Sequence, residues 1–219
     1  MATTVQVTFN EVDDDIIQEQ RLFNVYLIGL PRSGTSMTTH ILELLGVNMV
    51  YTSEEDKAKT DERFKKKFGE YHANPNGFFE VTKKPLTNFM KILGMPYSGC
   101  KMIIPVMGMR WEMLADFPCK VIFMTRDAEE IRQSQMAYYR PQGVEVAYIR
   151  TALVTQRMAL RESKVDFLEV DYNHLLQNKV AVIQSIADFI RSDRHIQEAV
   201  DFVQPSQKRF DKEQIVVGL

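Results

Sequence analysis

Four short stretches break the polar background with near-continuous apolar character: Val25-Tyr26-Leu27-Ile28, Cys100-Lys101-Met102-Ile103-Ile104, Val121-Ile122-Phe123-Met124 and Val165-Asp166-Phe167-Leu168-Glu169-Val170. Such runs are what strands of a parallel sheet show when helices cover both faces. Between them the period lengthens. Met37, Ile41, Leu44 and Leu45 follow i, i+4, i+7, i+8 spacing after Gly34, and Val182, Ile186, Phe189 and Ile190 repeat it later, which is one apolar stripe on a helix. Strand and helix alternate, so the pattern predicts a three-layer α/β/α fold around a central, mainly parallel sheet with right-handed crossovers. Val5-Gln6-Val7-Thr8-Phe9 alternates well enough for an edge strand within an otherwise acidic lead-in over 1–20. The charged region Tyr51–Pro75, followed by the turn cluster Asn74-Pro75-Asn76-Gly77, is expected to form an excursion between the first two core strands. Excursions of this kind collect substrate contacts, and together with the segment Tyr138–Arg150 this one is expected to shape an acceptor pocket.

Composition narrows the picture without adding chemistry. A chain of 219 residues with 45% apolar side chains suits a single domain over 1–219 with a core that needs no staples. Two cysteines, Cys100 and Cys119, form no disulfide scaffold, and no Cys/His cluster has zinc-ligand spacing, so no metal is expected and a reducing, cytoplasmic setting is the simpler one. The start, Met1-Ala2-Thr3-Thr4-Val5 running into Asp13-Asp14-Asp15, lacks a secretory pattern. The longest apolar run, Val25 to Leu30, is far too short to span a bilayer. A net charge of −2 argues against bulk electrostatic binding of nucleic acid; the one dense basic run, Arg63 to Lys67, reads first as a solvated helix face.

The most informative segment is Ile28-Gly29-Leu30-Pro31-Arg32-Ser33-Gly34-Thr35-Ser36, at the join of the first strand and the first helix. Gly29 and Gly34 have the spacing of a phosphate loop, which wraps backbone N–H groups around an anion and aims a helix N-terminus at it. A nucleoside-triphosphatase motif would continue with Lys and then Ser or Thr, for the β/γ-phosphates and magnesium. Here Thr35 takes the Lys position and the cation lies inside the loop, at Arg32. That suits a single phosphate or sulfonate better than a metal-bound triphosphate. No strand ends in a clear magnesium-holding Asp; Asp127 follows Arg126, whose charge opposes a cation.

Pro31-Arg32-Ser33-Gly34-Thr35-Ser36 resembles the 5′-phosphosulfate loop of sulfotransferases that use 3′-phosphoadenosine-5′-phosphosulfate (PAPS), in particular the compact bacterial branch reading Pro-Arg-Ser-Gly-Thr. Later segments follow the family's order. Val121 to Ser134, with Arg126 at a strand end and Ser134 eight residues on, resembles the 3′-phosphate site. Ala128 stands where the family usually has Pro, a mild departure that concerns only the first helical turn. Val165 to Leu176 resembles the strand followed by Tyr-Glu-Asp-Leu-Leu, with Tyr172 in the position that approaches adenine and with Asn173-His174 replacing the acidic pair. Asn76-Gly77-Phe78-Phe79-Glu80 and Pro205-Ser206-Gln207-Lys208-Arg209 look like elements of the compact members, where Lys208 and Arg209 would supply late phosphate contacts.

The resemblance implies transfer of a sulfuryl group from PAPS to a hydroxyl or amine of a small-molecule, carbohydrate or peptide acceptor, leaving adenosine 3′,5′-bisphosphate (PAP), with no metal. It implies that Arg32 stabilises the leaving group and that Pro31, Ser33, Gly34, Thr35 and Ser36 hold the 5′-phosphate. Lys101 aligns with the Lys of the Lys-Thr-His-x-Pro element of larger cytosolic members and would touch the sulfuryl group; Ile103 then occupies the place of their catalytic His. For the missing base the compact branch points to a Glu shortly after the first helix: Glu55 first, then Glu54 and Glu80. Met37 stands where members often carry an adenine-stacking Trp. Two other readings stay open: a small-molecule P-loop kinase, and a nucleotide-binding protein of this fold without catalysis.

Overall fold

A computed structural model describes residues 23–50, 95, 97–103, 116–138 and 144–204. The edge strand expected at Val5–Phe9, the excursion Tyr51–Pro75, the turn at Asn74–Gly77 and the tail beyond Pro205 lie outside the described residues. Among the described residues five strands form one sheet: β1 (Asn24–Gly29), β2 (Asn48–Met49), β3 (Ser98–Ile103), β4 (Cys119–Thr125) and β5 (Asp166–Asp171). Their order is β2-β3-β1-β4-β5 and every pairing is parallel. The helices are α1 (Thr35–Leu44), α2 (Ala128–Tyr138), α3 (Val146–Glu162), α4 (Tyr172–Gln177), α5 (Lys179–Phe189) and α6 (Ile196–Phe202). The four apolar runs are β1, β3, β4 and β5, with ends displaced by one or two residues. The two-residue β2 carries too few positions for any period to show.

The pleat explains the layers. Successive side chains of a strand point to opposite faces, and in β1 Val25 and Leu27 join Ile41, Leu42, Leu175, Ile183 and Ile186 in one core, beneath α1, α4, α5 and α6. Tyr26 and Ile28 point the other way and pack with Phe123, Ile131, Ala152 and Leu160, beneath α2 and α3. β1 is therefore buried along its whole length, which is why its sequence is apolar at consecutive positions rather than at alternate ones. β5 is the last strand of the sheet among the described residues, and its mixed composition goes with its partial exposure.

Cys100 on β3 and Cys119 on β4 flank β1, Cys100 opposite Tyr26 and Cys119 opposite Asn24, and both are free thiols. Burial pushes Cys100 up to about 12, and burial followed by the nearby Asp166 charge pushes Cys119 up to about 11. Burial also raises the Tyr26 phenol. These acids are neutral in the folded chain and ionise more easily once unfolded. Their contribution to stability is thus complete below pH 9, the ordinary thiol value here, and is lost as pH rises towards 11 and 12. Both thiols are expected to react with a disulfide reagent at pH 8 at least about 100-fold more slowly in the native chain than in denaturant. Rapid native labelling of Cys100 would contradict this burial.

Candidate functional site

In an open parallel sheet, ligands gather at the carboxyl ends of the strands. Here that edge is set by register: Gly29 lies beside Ile103 and Met124, and Thr125 beside Asp171. The turn after β1, Arg126 after β4 and Tyr172 after β5 therefore emerge side by side. α1 projects from the turn with no capping side chain and no acid in its first turn. The two helices that follow β4 and β5 differ. Asp127 accepts from the N–H groups of Glu129 (2.9 Å) and Glu130 (3.2 Å), capping α2. Asp171 accepts from His174 N–H at 2.9 Å, capping α4. Of these three helices, α1 alone keeps its N-terminal donors and the positive end of its dipole without a side-chain cap, the arrangement that binds anions. Asp127 is a cap rather than a ligand.

The turn itself is held in an unusual conformation. Gly34 has φ 99° and Arg32 has φ 75°, both left-handed; for Arg32, which carries a Cβ, that costs about 1–2 kcal/mol. Three bonds oppose the strain: Ser33 N–H donates to Leu30 O (3.2 Å), Arg126 Nη1 to Arg32 O (3.3 Å) and Gln135 Nε2 to Pro31 O (3.3 Å). Glycine is required at 29 for a different reason, space, because a Cβ there would come within 2.6 Å of Ser33 Oγ and 2.8 Å of Thr35 Cγ2. Ser33 Oγ is fully buried in this cradle and has no hydrogen-bond partner among the described residues. A buried hydroxyl left so costs about 1–3 kcal/mol.

The cationic side chains come from three segments. Arg32 Nε donates to Ser134 Oγ on α2 at 2.9 Å. Lys101, only 2% exposed, shares the β1 register of Leu27 and so rises beneath α1, where Nζ donates to Ser36 Oγ at 3.2 Å. Arg126 is buried, its guanidinium 4.4 Å from the centre of the Tyr172 ring, and its Nε donates to Glu130 Oε2 at 2.8 Å. Tyr172, 5% exposed, also contacts the loop: a Cβ on Gly34 would lie 2.4 Å from Tyr172 Cδ2. Met37 packs against the core on the α1 side. His40 meets Phe202 (centroids 4.4 Å apart) and Glu43 (3.2 Å), a packing role away from the turn.

The fold thus brings together Pro31, Arg32, Ser33, Gly34, Thr35, Ser36, Lys101, Arg126, Ser134 and Tyr172. Glu54, Glu55, Glu80, Lys208 and Arg209 lie outside the described residues. Two further participants, Glu130 and Gln135, were not singled out from sequence. Glu130 had a visible signal in its i, i+4 spacing from Arg126, with Ser134 another four residues along the same face; Gln135 had none.

No family model matches the chain, and neither does any curated protein sequence. Among solved structures it is similar to a mouse sulfotransferase complexed with PAP, at 14% identity, covering 92% of this chain and 73% of that one with a TM-score of 0.52. A retinol dehydratase in complex with androsterone and inactive cofactor PAP matches at 16% identity, 87% and 67% coverage and a TM-score of 0.46. A shikimate kinase from Bacteroides thetaiotaomicron matches at 14% identity, 77% and 98% coverage and a TM-score of 0.47. The likeness in fold rests on the first of these: the chain has a P-loop-like α/β fold shared with a sulfotransferase. No helix among the described residues is long and apolar enough to cross a membrane.

Proposed function

We propose that this chain is a PAPS-dependent sulfotransferase of the compact Pro-Arg-Ser-Gly-Thr type, working in a cytoplasmic setting on a hydroxyl or amine of a small-molecule, carbohydrate or peptide acceptor. One observation carries this reading over a P-loop kinase: the ammonium of Lys101 lies 3.2 Å from Ser36 Oγ. Ser36 is the hydroxyl that would hold magnesium in a triphosphatase, so a fixed positive charge there opposes a divalent cation and supplies charge in its stead.

The residues fit the nucleotide. The N–H groups of the loop, with Ser33, Thr35 and Ser36, would hold the 5′-phosphate, the buried Ser33 Oγ gaining the partner it lacks among the described residues. Arg126 and Ser134 would meet the 3′-phosphate, with Lys208 and Arg209 adding to it and Tyr172 beside the base. PAPS, when bound, supplies an activated sulfuryl group whose transfer is an in-line displacement. Arg32 and Lys101 would stabilise charge developing on the bridging and equatorial oxygens, in a site that positions the reactants and needs no metal. The acceptor's proton would pass to a carboxylate, Glu55 first, then Glu54 or Glu80.

PAP at 100 times its dissociation constant is expected to stabilise the fold by about 2.7 kcal/mol, a rise of roughly 5–10 °C in Tm for a chain of this size. Magnesium-ATP is expected to give no comparable rise. The opposite pattern, a response to magnesium-ATP and none to PAP, would sink the proposal in favour of a kinase. PAP binding with no transfer of labelled sulfate to sugars, phenols, lipids or tyrosine peptides would identify a binding protein without catalysis.

A further inference from the structure

An acid buried against a cation of an anion site requires explanation, because its charge opposes the ligand. Glu130 is 1% exposed, and its Oε2 takes the Nε–H of Arg126 at 2.8 Å. Neither residue sits beside bulk water that would screen the pair. The sequence around them shows no need for an acid in electrostatic terms, since the loop is built to attract negative charge.

The geometry on the other side of Arg126 supplies the reason. A guanidinium is a rigid planar fork, so a bond that fixes one nitrogen fixes the direction of the others. With Nε on Glu130, Nη1 donates to Arg32 O at 3.3 Å, the carbonyl of a residue at φ 75°. The same fork lies 4.4 Å over the Tyr172 ring, and that ring is in contact with Gly34, the other left-handed position of the turn. One side chain thereby touches both left-handed points of the loop, directly at the strained Arg32 and through Tyr172 at Gly34. The loop's anion-binding shape is not the relaxed shape of its backbone, and it persists only while neighbours hold it.

We propose that Glu130 is a positioning residue of the anion loop: by orienting Arg126 it holds Arg32 and Gly34 in their left-handed conformations, and so strengthens anion binding against the effect of its own charge. This rests on the reading that the turn after β1 holds an anion. The two contributions have opposite signs, which makes them separable. If Glu130 acted through charge alone, removing it would tighten binding; if it acts by holding Arg126, removing it loosens binding.

The test titrates inorganic sulfate and PAP, separately and at matched ionic strength, into the full chain and its variants. Glu130→Leu is expected to weaken sulfate binding about 10-fold or more, equivalent to about 1.4 kcal/mol. Glu130→Gln still accepts from Arg126 Nε while losing the charge, and is expected to bind sulfate at least as tightly as the unchanged chain. Should Glu130→Leu fail to fold, Glu130→Ser keeps Arg126 but is too short to reach its Nε, and carries the same expected weakening. Unchanged or tighter sulfate binding in Glu130→Leu, or in Glu130→Ser, overturns the proposal, as does weakening in Glu130→Gln. If the unchanged chain binds PAP and the Leu or Ser variant binds as it does, only the role of Glu130 fails; if the unchanged chain binds neither probe, the anion-loop reading fails with it.

Discussion

Arg126→Ala is expected to lower folding stability by about 3–5 kcal/mol and to abolish the stabilisation by PAP. The stability loss follows from burial. Arg126 and Glu130 lie with side chains 6% and 1% exposed and 2.8 Å apart, and deleting the cation removes the guanidinium that offsets a buried carboxylate. Two further contacts go with it, the bond to Arg32 O and the stacking over Tyr172. Urea denaturation followed by circular dichroism measures the first effect, and Tm with and without PAP the second. A loss below about 1 kcal/mol, the range of an exposed ion pair, would show that the pair is solvated and that the burial described here is wrong. Arg126→Lys is not expected to restore the site, because an ammonium lacks the planar fork that bonds Glu130 and Arg32 O at once.

Gly34→Ala is expected to lose the response to PAP and to sulfate altogether, with a fold destabilised by about 2 kcal/mol or more. Two penalties combine. At φ 99° an L side chain is strained whatever space surrounds it, and here the added methyl would sit 2.4 Å from Tyr172 Cδ2 and 3.1 Å from Cε2. The ring has little room to yield, being buried with Arg126 on it. Relief must come from the turn, which then aims its N–H groups elsewhere. Thermal melts of the variant with and without PAP measure both effects. A PAP-induced shift equal to that of the unchanged chain would mean that the left-handed residue at 34 is not needed for binding.

The legible parts of the fold were those encoded by local period. β1 and β4 show continuous apolar runs because each is buried on both faces, and α1 and α5 show one stripe because each is buried on one. β2 was not legible: two residues, Asn48 and Met49, join the sheet through β3, and strand pairing across so long a sequence separation leaves no local trace. In the site, Gly29 and Gly34 were legible because tight turns restrict residue type, and Arg126 and Ser134 through the resemblance of their strand-to-helix junction to a 3′-phosphate site. Glu130 was not singled out. Beyond its i, i+4 spacing from Arg126, its depth is what separates it from its neighbour Glu129, which pairs with Arg132 at the partly exposed surface. Lys101 differs: the apolar run around it marks a buried strand, and only the parallel register beside Leu27 shows that it rises beneath α1 to Ser36.

By itself, then, the sequence determined the layer order and the existence of an anion-ready turn between β1 and α1, since hydrophobic period and the demands of a tight turn act within a few residues. Tertiary structure decided how that turn is held and charged: Lys101 from β3, Arg126 from β4, Ser134, Glu130 and Gln135 from α2, and Tyr172 from the end of β5 converge only because the strands are parallel and in register. Contacts among residues a hundred or more positions apart, such as Arg32 with Ser134 and Gly34 with Tyr172, depend on which strands pair and which faces are covered. Those are properties of the closed sheet and its two cores, and no window along the chain contains them.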